Sequence, residues 1–186
     1  TRKARDKAVA SVAEDVVEAV LYDNFLQAQI LSQEVEQSAR QMEAYEDLMS
    51  MLESAGVLDR LLEAVPTAEE LNERASKQLG LTRPELSVLL AYSKRSLADA
   101  LMTTGLPDEA HFRSDLRSYF PKAIQEKFGH LIEDHPLKRE LVATILANQV
   151  INSEGITFVT RLMNETGSTP ADIVRAFRIT REVSGA

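Results

Sequence analysis

Groups able to do chemistry are few in this chain, and they fall in three short stretches. The string HLIEDH brings His130, Glu133, Asp134 and His135 together, and residues 130, 133 and 134 would share one helical face, as a divalent metal requires. Pro136 follows directly, however, and no second helix supplies the paired E-x-x-H of a di-metal bundle site, so the stretch reads as a solvated turn between helices. DEAH at 108–111 has the letters of a helicase box but lacks both the apolar strand before it and a phosphate loop upstream, and His111 stands alone. The third stretch holds two asparagines, Asn148 and Asn152, within thirteen uncharged residues from Leu141 to Ser153.

The remaining constellations fail on spacing or composition. Consecutive glycines are never closer than twelve residues, which excludes the G-x-G-x-x-G turn and the P-loop, whose backbones need closely spaced residues without Cβ. Cysteine is absent, so disulfides, thiolate metal sites and thiol nucleophiles are absent with it, in keeping with a cytoplasmic location. No Ser-His-Asp arrangement can be drawn. The formal charge of −8 lies wholly in the first part: residues 1–80 hold 16 acids against 8 bases, and residues 81–186 hold 13 of each. An acidic chain without a basic stripe is not expected to bind nucleic acid. No apolar run reaches the roughly 18 residues of a membrane span, and TRKARDK at the N-terminus lacks the apolar region of a signal peptide. The chain opens without methionine, which leaves open whether Thr1 is a true start or a boundary within something longer.

The elements that must position these residues are helical. Aromatics make up only 5%, tryptophan is missing, and no segment alternates with period two. No Gly or Pro occurs before Gly56, so residues 1–55 are expected to form a long acidic helical segment, a helix or helical hairpin, with a bend near YDN or QEVEQS. Its apolar positions Val9, Val12, Val16, Val17, Val20, Leu21 and Phe25, and later Met42, Tyr45, Leu48, Met49 and Leu52, recur at helical spacing. Residues 56–186 carry closely spaced start and stop signals and are expected to form a compact bundle of shorter, individually capped helices. Thr67 with Glu70 and Thr82 with Glu85 are capping boxes, Pro84, Pro121, Pro136 and Pro170 lie in first turns, and Gly80, Gly105, Gly129, Gly155 and Gly167 mark ends. The whole is read as all-α, a multi-helix bundle of about eight or nine helices.

On a wheel of about 100° per residue, Asn148 and Asn152 fall at about 20° and 60° from Leu137, among Leu141 and Ile145, while Val142, Leu146 and Val150 cover the opposite side. That helix is expected to be buried nearly all round, with both amides paired to neighbours in a structural role, because an unpaired buried amide costs about 1–3 kcal/mol.

Residue chemistry alone thus yields a helical domain without a visible active site. The stretches GLTRPELSVLLAYSKRSLADAL (80–101), YFP (119–121), HPLKRELVATILANQVINSEGITFVTRLMNETG (135–167) and DIVRAF (172–177) resemble the C-terminal region of the large bacterial NAD-specific glutamate dehydrogenases. VLYDNFLQAQILS and LESAGVLDR resemble the segments leading into it. The resemblance implies a parent enzyme that oxidises L-glutamate to 2-oxoglutarate and ammonium while reducing NAD, with its dehydrogenase core upstream. No catalytic, cofactor-binding or metal-ligating residue carries over to this chain. What carries over is architectural: Thr82, Arg83, Pro84 and Glu85 at a helix start, and Asn148, Asn152 and Gly155 in a characteristic helix and its termination. The implied partners are the remainder of the dehydrogenase chain and further copies in a homo-oligomer. A free-standing, non-enzymatic helical interaction module is the alternative, and a start codon just before Thr1 would favour it.

Overall fold

Without Gly or Pro to interrupt it, the first segment runs as one helix, α1 (Arg2–Gln37), straight through Asp23 and Asn24 in the computed structural model, which describes residues 2–185. The chain turns only after QEVEQ, at a single 3₁₀ turn over Ser38–Arg40, and re-enters a helix as α2 (Met42–Ser54). There follow α3 (Ala68–Ser76), α4 (Arg83–Met102), α5 (Arg113–Ser118), α6 (Lys122–Ile132), α7 (Lys138–Glu154), α8 (Phe158–Thr166) and α9 (Pro170–Ser184). These are nine α-helices with no strand among the described residues, and none is long and apolar enough to cross a membrane.

The most extensive helix pair is α4 with α7. Leu86, Leu89, Leu90, Leu97 and Leu101 of α4, and Val142, Leu146, Val150 and Ile151 of α7, enter one buried cluster that extends from Ile30 to Phe177. Residues 1–55 divide in their packing. Tyr45, Leu48, Met49 and Leu52 of α2 lie in that same cluster, as does Ile30 near the end of α1, whereas Val9, Val16, Val17, Val20, Leu21 and Phe25 remain exposed.

Helix ends are closed partly by local caps and partly by distant side chains. The Thr67 side chain accepts the Glu70 N–H at 3.2 Å while Glu70 accepts the Thr67 N–H at 2.9 Å. Thr169 caps α9 in the same manner, accepting the Asp172 N–H. At the C-terminus of α4, Arg139 of α7 donates to the carbonyls of Met102 and Thr104, both at 3.0 Å, and pairs with Asp108. Those carbonyls would otherwise be among the last-turn acceptors that a helix leaves unsatisfied. The cap residue of α6 is Pro121, which has no polar side chain to offer, and Asp15 of α1 accepts the Lys122 N–H at 3.2 Å instead. Gly129, expected to end α6, lies inside it. A Cβ there would come within 2.7 Å of Nη2 of Arg117, so the residue serves close approach of a neighbouring side chain and not termination.

Candidate functional site

The last turn of α1 and the 3₁₀ turn after it carry a row of polar side chains, Glu34, Ser38 and then Gln41, that face inward onto two loops. Glu34 is 4% exposed. Its Oε1 accepts the backbone N–H of Ile156 at 2.8 Å and its Oε2 accepts the Tyr45 hydroxyl at 2.6 Å, so both oxygens of a buried carboxylate are used. Burial, reinforced by the charge of Glu34 and the bond to it, holds the Tyr45 phenol far above its ordinary range and keeps it a neutral donor. One turn on, Ser38 Oγ accepts the Leu81 N–H at 2.9 Å, and Gln41 Oε1 accepts the Thr157 hydroxyl at 3.2 Å. The end of α1 and the turn after it thereby clasp the loop before α4 and the loop before α8 together, over sequence separations of 43 and 122 residues.

Gly155 and Gly80 are what let the clasp close. Gly155 has φ 106° and ψ 167°, a backbone region open essentially to glycine alone, and a Cβ there would stand 2.5 Å from Glu34 Oε1. A Cβ on Gly80 would collide with Ser38 Oγ. Gly155 ends α7 as its spacing suggests, whereas α3 ends earlier than Gly80, at Ser76, with Gln78 in the left-handed conformation that closes it; each glycine admits a side chain from the end of α1 or the turn after it against the main chain.

Thr82 and Glu85 stand at the start of α4, where the Glu85 carboxylate accepts the Thr82 N–H at 2.7 Å and a two-pronged pair from Arg74 of α3 at 2.8 Å each. Burial opposes its charge, yet the Arg74 and Thr82 bonds prevail and hold its pKa below the usual carboxylate range. The capping residue therefore also ties α3 to α4.

The asparagines behave differently from expectation. Buried positions of α7 are Val142, Ala143, Leu146, Ala147, Val150 and Ile151, while Leu137 is exposed and Leu141, Ile145, Asn148 and Asn152 are only half-buried. The helix has one buried face and one half-open face, and the asparagines share the half-open one with the leucines around them. Neither amide is held in the polar network expected of it: the buried Oδ1 of Asn152 has no partner, and Asn148 makes no side-chain hydrogen bond among the described residues. Asn148→Leu is therefore expected to change stability by no more than about 0.5 kcal/mol, as for an ordinary surface position. A thermal melt checks this, and a loss of several degrees would reveal a bond the side chain makes in solution.

The residue between those asparagines matters more. Gln149 donates to Asp115 at 3.3 Å and accepts from Arg178 at 2.9 Å, while Arg178 also pairs with the buried Asp115 at 3.0 Å, joining α5, α7 and α9. In the DEAH stretch Asp108 pairs with Arg139 and Glu109 with Arg175, and Nε2 of His111 lies 2.8 Å from a carboxylate oxygen of Glu182. In HLIEDH, His130 is exposed, and His135 packs beside Phe120 while its Nδ1 accepts the Leu137 N–H at 3.1 Å. No group of three or more metal-capable side chains converges among the described residues. A groove of about 370 Å³ beside α8 and α9 has an apolar floor of Phe158, Leu162, Ile173, Ala176 and Phe177, with Glu154, Asp172 and Arg181 among the polar residues that line it.

With the end of α1 tying two distant loops, and carboxylate–arginine pairs joining α3 to α4 and α5 to α9, the chain is an all-α module. The chain belongs to the glutamate dehydrogenase C-terminal family, whose model matches residues 78–186. It is 42% identical over 183 residues to the NAD-specific glutamate dehydrogenase of Pseudomonas aeruginosa, 40% identical over 182 residues to that of Halomonas elongata and 34% identical over 181 residues to that of Mycobacterium tuberculosis. These matches cover 97–98% of this chain but only 11% of each relative, so the chain spans about a tenth of their length. The family match begins near the Gly80 loop and includes the GITF loop, whereas Glu34 and Tyr45, the other side of the clasp, lie before it.

Proposed function

We propose that this chain is the C-terminal helical domain of an NAD-specific glutamate dehydrogenase, a cytoplasmic and oligomeric enzyme converting L-glutamate, NAD and water to 2-oxoglutarate, ammonium and NADH. Within it the domain serves structure and assembly, positioning or regulating the catalytic core, and has no catalytic centre or cofactor site of its own. The observation that carries this reading is the alignment of nearly the whole chain, at 42% identity, to a tenth of a dehydrogenase. The side chains agree with it, because the polar groups with catalytic potential are engaged in joining helices: Glu34 in the clasp, Asp115 with Arg178, and Glu85 with Arg74.

Calorimetric titration of the isolated chain with NAD, together with an assay for glutamate-dependent NADH formation, tests the non-catalytic part. No binding tighter than about 100 μM, equivalent to some 5–6 kcal/mol, and no turnover are expected. Tighter binding or measurable NADH would assign a nucleotide site to this segment. A reading frame continuing upstream of Thr1 into a dehydrogenase core tests the parentage.

A further inference from the structure

From Val9 to Asn24 the outer side of α1 is built the wrong way round for a free surface helix. On a helical wheel of about 100° per residue, a sector about 140° wide contains Val9, Ala10, Ala13, Val16, Val17, Val20, Leu21 and Asn24 and no charged residue. The valines and leucine there, with Phe25 beyond, are 46–63% exposed. The charges of the same stretch lie outside that sector, Glu14 and Asp23 at its edges and Asp15 and Glu18 on the far side. Asp15 turns toward the bundle to receive the Lys122 N–H. Asp15 and the apolar Val12 are the partly covered residues of this stretch, while Glu14, Glu18 and Asp23 are exposed along with the valines, so an uncharged apolar sector faces water where a free surface helix would be polar. On the same wheel Glu34 lies in line with Val16 further along the helix, where it is buried in the clasp.

We infer that this valine face is a docking surface covered, in the parent enzyme, by the part of the same polypeptide that precedes α1. The inference rests on the proposed parentage. Relatives about nine times longer supply the occupant, and the exposed valines lie in the half of α1 nearer its N-terminus, where such a chain would join it. A tethered partner needs little intrinsic affinity, since tethering raises its effective concentration to the millimolar range. Charge argues against a second copy. Between Lys7 and Arg40 the chain has no lysine or arginine but six carboxylates, and Glu14 and Asp23 border the valine sector on its two edges. Two such faces brought together would oppose acid to acid, whereas an apolar partner with basic edges would complement both margins.

The absence of cysteine provides a clean probe. With Val20→Cys introduced into this chain and into the full-length parent, maleimide labelling at position 20 is followed by mass spectrometry of the labelled peptide. Labelling is expected to be rapid and independent of concentration in the isolated chain, sedimenting as a monomer, and at least tenfold slower in the parent. Val20→Glu, which meets only solvent in the isolated chain, should leave its melting temperature unchanged and raise hydrogen exchange of α1 in the parent. Equal labelling rates in the two proteins would overturn the docking surface while leaving the parentage intact. Slow labelling of an isolated chain that sediments as a dimer would also overturn it, making a second copy the occupant. Failure of the parentage would appear separately, as a reading frame that does not continue into a dehydrogenase core.

Discussion

Replacing Gly155 with alanine is expected to destabilise the chain by about 3–5 kcal/mol, the largest effect of any single methyl group added to it. Two costs combine. Forcing a side chain into the backbone region that Gly155 occupies costs about 1–3 kcal/mol, and pushing Glu34 aside strands the Ile156 N–H and the Tyr45 hydroxyl at a further 1–3 kcal/mol or so. At about 2–4 °C per kcal/mol for a domain of this size, the melting temperature should fall by roughly 6–20 °C. The double variant Gly155→Ala with Glu34→Ala isolates the contact: the backbone strain persists but the collision is gone, so the pair should be less destabilised than the sum of the singles by about 1 kcal/mol or more. Strict additivity in chemical denaturation would show that the two residues do not touch.

Arg60 is the second sensitive point, and its loss should cost about 3 kcal/mol. The guanidinium is 7% exposed and sits in the turn-rich stretch between α2 and α3, donating to Glu53 at 2.7 Å, to Glu46 at 2.8 and 3.0 Å, to Ser50 at 3.2 Å and to the Pro66 carbonyl at 3.2 Å. Breaking a buried pair from one side costs about 3–5 kcal/mol, and the partial exposure of the two carboxylates favours the lower figure. Arg60→Met keeps much of the volume and removes the bonds. The penalty should depend on pH. The Arg60 bond holds the Glu46 carboxyl below its ordinary range against the opposing effect of burial. A carboxyl depressed in the folded state lends stability that is full above its unfolded value, about 4.3, and is lost as pH falls through the lower folded value. The gap between wild type and Arg60→Met should therefore be widest near neutrality and close below about pH 4. A gap that stays constant down to pH 3 would mean that the variant suffers from packing and not from lost charge pairing.

Why Glu34 and Arg60 escape inspection of the sequence, although Gly155 does not, is a matter of range. Thr67 with Glu70, and Thr169 with Asp172, are caps whose partners lie three residues apart, so the letters alone disclose them. The valine spacing of α1 and the α2 pattern of Tyr45, Leu48, Met49 and Leu52 are likewise local, and the helices form where the period predicts. Glu34 looks like one more acid in an acidic helix, since its partners are 11 and 122 residues away. Arg60 sits inside VLDRLLEAV, where an amphipathic pattern hides a residue whose job is to neutralise two distant glutamates. With Asn148 and Asn152 the wheel locates the face correctly, but periodicity cannot tell which of two apolar faces packs more deeply. Gln149, inconspicuous between them, links Asp115 to Arg178.

Glu34 of the clasp and the valine face occupy one uninterrupted helix, 36 residues or about 54 Å long at 1.5 Å per residue, with Ser38 in the turn directly after it. Helices of that kind do not twist independently at their two ends, so the azimuth of Val16 and Val20 is set by Glu34 and Ser38 as the teeth of a key are set by its bow. Turning the valine face by a single residue position, about 100°, would carry Glu34 away from Ile156 and Ser38 away from Leu81. Sliding it by one turn would move the same groups by about 5.4 Å, beyond hydrogen-bond reach. Whatever grips the outer end of this helix consequently reads the orientation of the bundle at the other, with glycines 80 and 155 as the wards of the lock.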